Sequence, residues 1–148
     1  MAAGTFTLYD GVAEYLGDGT IDLDNDTFNI TLHTSSYTPS GAHDVYTDLT
    51  NELATANGYT NGGAALTNVT WTRSGGVATF DSDNQVWTAS SGPITARYAV
   101  IRSAAANKLL GYMLLDSTPA DLTATDGYTL TVGPHASNGW FQQTVNPA

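Results

Sequence analysis

At 148 residues, 41% hydrophobic and 10% aromatic, the chain is long and apolar enough for one packed domain. Its formal charge of −10, from fourteen acidic and four basic residues, leaves few of the cations that direct binding to nucleic acid or to an anionic membrane requires. Without cysteine it has neither a disulfide framework nor thiolate chemistry, and no apolar run approaches the ~20 residues of a membrane-spanning helix.

Residues 1–5 carry neither a basic stretch nor an apolar run, so no secretory leader is expected. Residues 1–7 read as an extended N-terminal arm, and residues 8–148 as a single domain. Leu8, Val12, Tyr15 and Leu16 are spaced as on a helix, and Gly17-Asp-Gly19 ends that run, so a short helix is predicted over 8–16. Asp22-Leu-Asp-Asn-Asp26 is a polar turn. Residues 27–34 alternate Phe28, Ile30 and Leu32 against Asn29, Thr31 and His33, which predicts a half-exposed strand. Residues 35–44 form a loop around Tyr37-Thr-Pro39. Val45, Leu49 and Leu53, four apart, predict a helical turn, and residues 55–63 are ambiguous.

Residues 65–72 alternate again and turn at Arg73-Ser-Gly-Gly76 into a partner strand over 77–81. Residues 85–88 form a short strand carrying Trp87. The strongest signal follows. Residues 94–101 and 109–115 are two apolar runs joined by the small-residue turn 103–107, which predicts a central hairpin buried on both faces. Residues 118–126 are a polar connection, residues 128–132 an alternating strand, and residues 139–145 a last strand or tail. The fold class is therefore all-β: a single antiparallel β-sandwich with one or two short helices.

Chemistry is hard to find. Asp18, Asp22, Asp24 and Asp26 have the alternation that opens a calcium loop. Thr27, however, stands where such a loop needs Gly, and His33 where it needs a bidentate Glu, so an acidic turn is the better reading. Asp81 and Asp83 are a weaker pair. His33, His43 and His135 share no metal-ligand spacing. No nucleophile elbow surrounds any serine, and Gly62-Gly63 and Gly75-Gly76 form no phosphate loop. Glu14 and Glu52 as a glycosidase pair have nothing to recommend them, because Glu14 falls on the predicted helix. Trp71, Trp87, Trp140 and the eight tyrosines read as core or subunit interface ahead of a sugar platform. No catalytic, cofactor-binding or metal residue is assigned, and no enzymatic activity is expected.

Several segments in order resemble small β-rich virion proteins of tailed phages. They are the early helix, Asp26-Thr-Phe-Asn-Ile-Thr-Leu-His-Thr-Ser-Ser-Tyr-Thr-Pro39, and His43-Asp-Val-Tyr-Thr-Asp-Leu-Thr-Asn-Glu52. Gly58-Tyr-Thr-Asn-Gly-Gly63, Phe80-Asp-Ser-Asp-Asn-Gln-Val-Trp87 and Ile94-Thr-Ala-Arg-Tyr-Ala-Val-Ile101 follow. The resemblance covers residues 8–133. It implies a capsid decoration, or cement, protein on the outer surface of the virion, made in the host cytoplasm. The implied partners are the major capsid protein and further copies of itself in a homotrimer. The family has no catalytic residues to carry over. The acidity agrees, since a chain of −10 is better placed away from packaged DNA. The arm and the loop over 35–44, both polar, are the expected contact segments. The alternative is a tail or fibre component, or a carbohydrate-binding module contacting the host surface.

Overall fold

Thr, Val, Ile, Leu and aromatic residues alternate in short runs between Gly, Asn and Asp turns, and such runs form strands. The computed structural model describes residues 3–145 and shows an all-β, sandwich-like fold of antiparallel sheets. Residues 1 and 2 of the expected arm, and residues 146–148, lie outside the described residues.

The chain runs through β1 (Thr7–Leu8), α1 (Val12–Gly17), β2 (Phe28–His33), a 3-10 turn (Tyr46–Asp48), β3 (Ala64–Ala65), β4 (Thr70–Ser74) and β5 (Val77–Asp81). It continues through β6 (Gln85–Thr88), β7 (Ile94–Ala96), β8 (Tyr98–Ser103), β9 (Lys108–Leu114), β10 (Leu122–Ala124), β11 (Thr129–Val132) and β12 (Phe141–Thr144). A five-stranded sheet in the order β1-β9-β8-β2-β3 is the centre. A three-stranded sheet, β12-β5-β4, and two strand pairs, β6 with β11 and β7 with β10, complete the architecture.

The predicted hairpin is β8 with β9, and every residue from Ala99 to Ile101 and from Leu109 to Gly111 is buried. Phe28 on β2 meets Phe80 on β5 edge to face at 5.0 Å, which joins the central sheet to the three-stranded one. Trp87, Leu130 and Val132 bring the β6–β11 pair into the same core.

Five expectations change. Leu8 is not helical: Thr7 and Leu8 pair with Tyr112 and Gly111, and the helix starts only at Val12. The half-exposed strand is buried on both faces, because residues 34–63 fold over the side that carries Thr31 and His33, both fully covered. The helical turn over 45–53 shrinks to Tyr46–Asp48, where the Asp48 carboxylate takes the N–H groups of Asp44 and Val45. Beyond it Leu49 is extended, Asn51 turns at φ 56, and His33 bridges to Glu52. The polar connection over 118–126 contains β10, which pairs with β7. The run 65–72 also divides into β3 and β4, with Asn68 between them at φ 50.

Candidate functional site: an apolar seam between two sheet edges

β1 is an edge of the central sheet and β12 an edge of the three-stranded sheet. Both border the same opening. Phe6 spans it, its ring 6.3 Å from Phe141 and 5.6 Å from Trp140. On one side is a cleft of about 720 Å³ with Gly4, Thr5 and Phe6 on one wall and Trp140, Phe141 and Gln142 on the other. On the other side is a hollow of about 260 Å³ between Leu8, Asp10 and Leu16 and the residues Phe141–Gln143. The seam continues under the three-stranded sheet. There Trp71, Phe80 and Phe141 form one cross-strand row, and Arg73, Ala78 and Gln143 form the next. Phe80 is covered, while Trp71 and Phe141 are only half-buried. Leu8 and Val145 are exposed beside them.

Apart from Arg102 Nε, the buried polar side chains among the described residues find partners within the fold. Glu52 accepts the Tyr59 hydroxyl at 2.7 Å, the Gly62 N–H at 2.6 Å and the Tyr46 hydroxyl. Burial first, then the Glu52 hydrogen bond, pushes the Tyr46 hydroxyl up to about 12. The Arg102 guanidinium lies 4.2 Å over the Tyr46 ring, and its buried Nε has no partner. His33 donates Nδ1–H to the Thr50 carbonyl at 2.8 Å, so its Nε2 accepts the Thr31 hydroxyl at 2.9 Å. Burial lowers the His33 pKa, against the raising effect of the Thr50 bond. The Tyr37 ring packs tilted against His33, and its hydroxyl hydrogen-bonds the Tyr9 hydroxyl and His43 Nδ1 at 3.0 Å each. Tyr37 is 1% exposed, so the loop over 35–44, expected to be free for contacts, is anchored in the core.

The three histidines are not brought together. His33 and His43 each pack tilted against Tyr37, with ring centroids 4.9 and 5.8 Å away, and His135 bridges Gly139 in its own loop. The Asp22 carboxylate accepts the N–H groups of Asp24 and Asn25 and the Asn25 amide, and Asp26 accepts the Asp22 N–H and the Ser103 hydroxyl. These oxygens close an Asx-type turn before β2. Among the described residues, no group of three or more His, Cys, Asp or Glu is placed to hold a metal ion. Asp81 and Asp83 likewise serve their turn, through Ser82, Thr67 and Asn68. Two cations form ion pairs, Arg97 with Asp121 at 2.8 Å and Lys108 with Asp44 at 2.5 Å. Lys108, with Tyr15 second, holds the Asp44 carboxyl below the usual range. No helix among the described residues is long and apolar enough to cross a membrane.

Compared with protein-family models, curated proteins and solved structures, the chain matches none. The seam was missed in the sequence because no local pattern marks it. Phe6 and Phe141 are 135 positions apart, and only the sheet order places them together. The one sequence signal was the uncharged character of both segments.

Proposed function

We propose that this protein is a structural component that attaches to the outer surface of a phage capsid and stabilises the lattice. The observation that carries the reading is the seam: an apolar, half-covered row of aromatics flanked by two unpaired strand edges. A surface of this kind suits attachment to another protein. The capsid as target comes from the ordered segments that resemble phage virion proteins. The charge of −10 favours the exterior over the DNA-filled interior.

The aromatic layout weighs against glycan recognition. Trp87 and Trp140 are in the core, and Trp71 lies on the inner face of its sheet. Tyr128, 70% exposed, stacks on no aromatic ring among the described residues with which to form a platform.

A subunit bridging neighbouring capsid proteins stabilises only the assembled lattice, by mass action, and many copies add avidity to modest contacts. Homotrimerisation is part of the proposal and is read by light scattering across salt concentrations. Screening weakens repulsion between like-charged copies, so the trimer fraction rises with salt. The decisive experiment is deletion from the virion. Particles without the protein assemble but release DNA at lower temperature. Particles of unchanged heat stability that fail to adsorb to cells would replace this reading with the receptor-binding one.

A further inference from the structure

We infer that the outer edge of β12 is a strand-acceptor site, filled by an extended, basic segment of a partner polypeptide lying in the seam beside β1. The inference rests on the reading of the seam as a partner-facing surface, and it names what the seam takes.

Register comes first. The Val145 N–H bonds the Gly76 carbonyl at 2.8 Å, and Val145 continues the register in which Phe141 faces Phe80 and Gln143 faces Ala78. In an antiparallel ladder, alternate residues direct both backbone groups to the same side. Phe141, Gln143 and Val145 therefore bond β5. Gln142 and Thr144 direct N–H and C=O away from it, on the edge where no strand follows among the described residues. Gln142 lines both the cleft and the hollow, so this free edge opens onto the seam.

Protection comes second. Exposed edges are ordinarily blunted by charge, proline or a bulge. Residues 139–145 and the facing residues 3–9 contain no charged residue and no proline. An edge left unguarded above half-buried Phe6 and Phe141 has the features of strand addition: backbone bonds for affinity, and pockets for alternate side chains.

Charge selects the occupant. Residues 1–72 contain nine carboxylates and neither lysine nor arginine; of these, Asp10 and Asp22 are the ones that line the seam, against one cation, Arg73, in the row beside Gln143. That stretch supplies β1, α1 and the Asp22 turn along this wall. A segment that puts apolar side chains into the seam and Lys or Arg along that wall is complementary. A second copy of this chain would bring its own charge of −10 to the same place.

The test uses the full chain and the peptide acetyl-Val-Lys-Val-Lys-Val-Lys-Val-amide, followed by amide exchange and NMR titration. The peptide should slow exchange at Gln142 and Thr144 by about tenfold or more, the scale of one protecting hydrogen bond. The same peptide with Glu for Lys should not bind. Neither should one N-methylated on alternate residues, which keeps the charge but removes the ladder donors. Thr144→Pro removes only the outward donor, so the fold should persist while peptide binding weakens.

Equal binding of the N-methylated peptide would overturn the inference, leaving charge adsorption. Slowed exchange at Gln142 that rises with protein concentration alone would overturn it in favour of self-pairing. If the peptide adds at β12 but the protein does not co-sediment with capsids, the strand site stands and the capsid assignment falls. If the protein decorates capsids with Gln142 and Thr144 unprotected, the capsid assignment stands and the strand site falls.

Discussion

Tyr59 donates its hydroxyl to Glu52 Oε1 at 2.7 Å, while the same hydroxyl oxygen accepts the Leu32 N–H at 3.1 Å. Leu32 lies on β2 between two partial neighbours: β3 pairs its start, and residues 51–53 bridge its end. A tyrosine side chain thus fills the gap in the ladder.

Removing that hydroxyl leaves a buried N–H without a partner and takes one donor from Glu52. Tyr59→Phe should cost about 1–3 kcal/mol, more than an ordinary hydroxyl deletion, because the orphaned group carries its full desolvation penalty. Urea denaturation measures it. Tyr128→Phe, exposed, is the control and should be neutral within about 0.5 kcal/mol.

His33 makes stability depend on pH. Burial lowers its folded-state pKa, so the unfolded chain binds more protons in the window between the folded value and the ordinary value of about 6.5. Stability is therefore full above that ordinary value and falls as pH drops through the window, by up to about 1.4 kcal/mol per unit. Carboxylates held low by hydrogen bonds, such as Asp44 and Asp48, begin to weaken the fold only at lower pH. His33→Gln should flatten the stability profile between pH 5 and 7 relative to the parent chain, as measured by Tm against pH.

Parts of this were legible and parts were not, for physical reasons. The β8–β9 hairpin was readable because burial on both faces leaves continuous apolar runs, and β5, β6 and β11 because short runs end at turn residues, whereas β12, with only Phe141 apolar, read equally as a strand or a tail. β2 was readable as a strand, but the fate of Thr31 and His33 was not, since polar residues on a strand face look the same under solvent and under a loop. β1 is two residues long, and its identity comes from Tyr112 and Gly111 on the other side of the chain. Leu8 fitted a helical spacing that the pairing overrode.

Backbone clearance at Gly63 gives a sharper contrast than side-chain deletion. Gly63 has φ +76, and a Cβ there would overlap the Ile30 carbonyl oxygen of the central sheet. Its neighbour Gly62 has φ +100 with nothing near the would-be Cβ. Gly62→Ala should cost about 1–2 kcal/mol, the left-handed penalty alone. Gly63→Ala should cost about 3 kcal/mol or more, because β3 must also move off β2. Equal costs would show that β3 yields freely.

The last prediction concerns the wall opposite β12. Gly111 on β9 leaves room for Phe6: a Cβ there would lie 2.5 Å from the Phe6 ring and 2.7 Å from the Thr7 carbonyl oxygen. Residues 4–9 are held by few backbone bonds, among them Gly4 N–H to Leu114 and Tyr9 N–H to Leu110. The Phe6 ring against Trp140 and Phe141 must therefore supply much of their docking. Gly111→Ala should expel Phe6 without disturbing β8, whose pairing with β9 does not involve that ring. Phe6→Ala should act the same way, with a local cost of about 2 kcal/mol. Both variants should show fast amide exchange at Gly4 and Tyr9, while Val100 and Leu110 stay protected. In the capsid reading, both should also weaken attachment while leaving the core melting transition nearly unchanged, because the seam loses a wall and the sandwich keeps its centre. Undiminished capsid binding by a folded Gly111→Ala protein would move the attachment surface away from the seam.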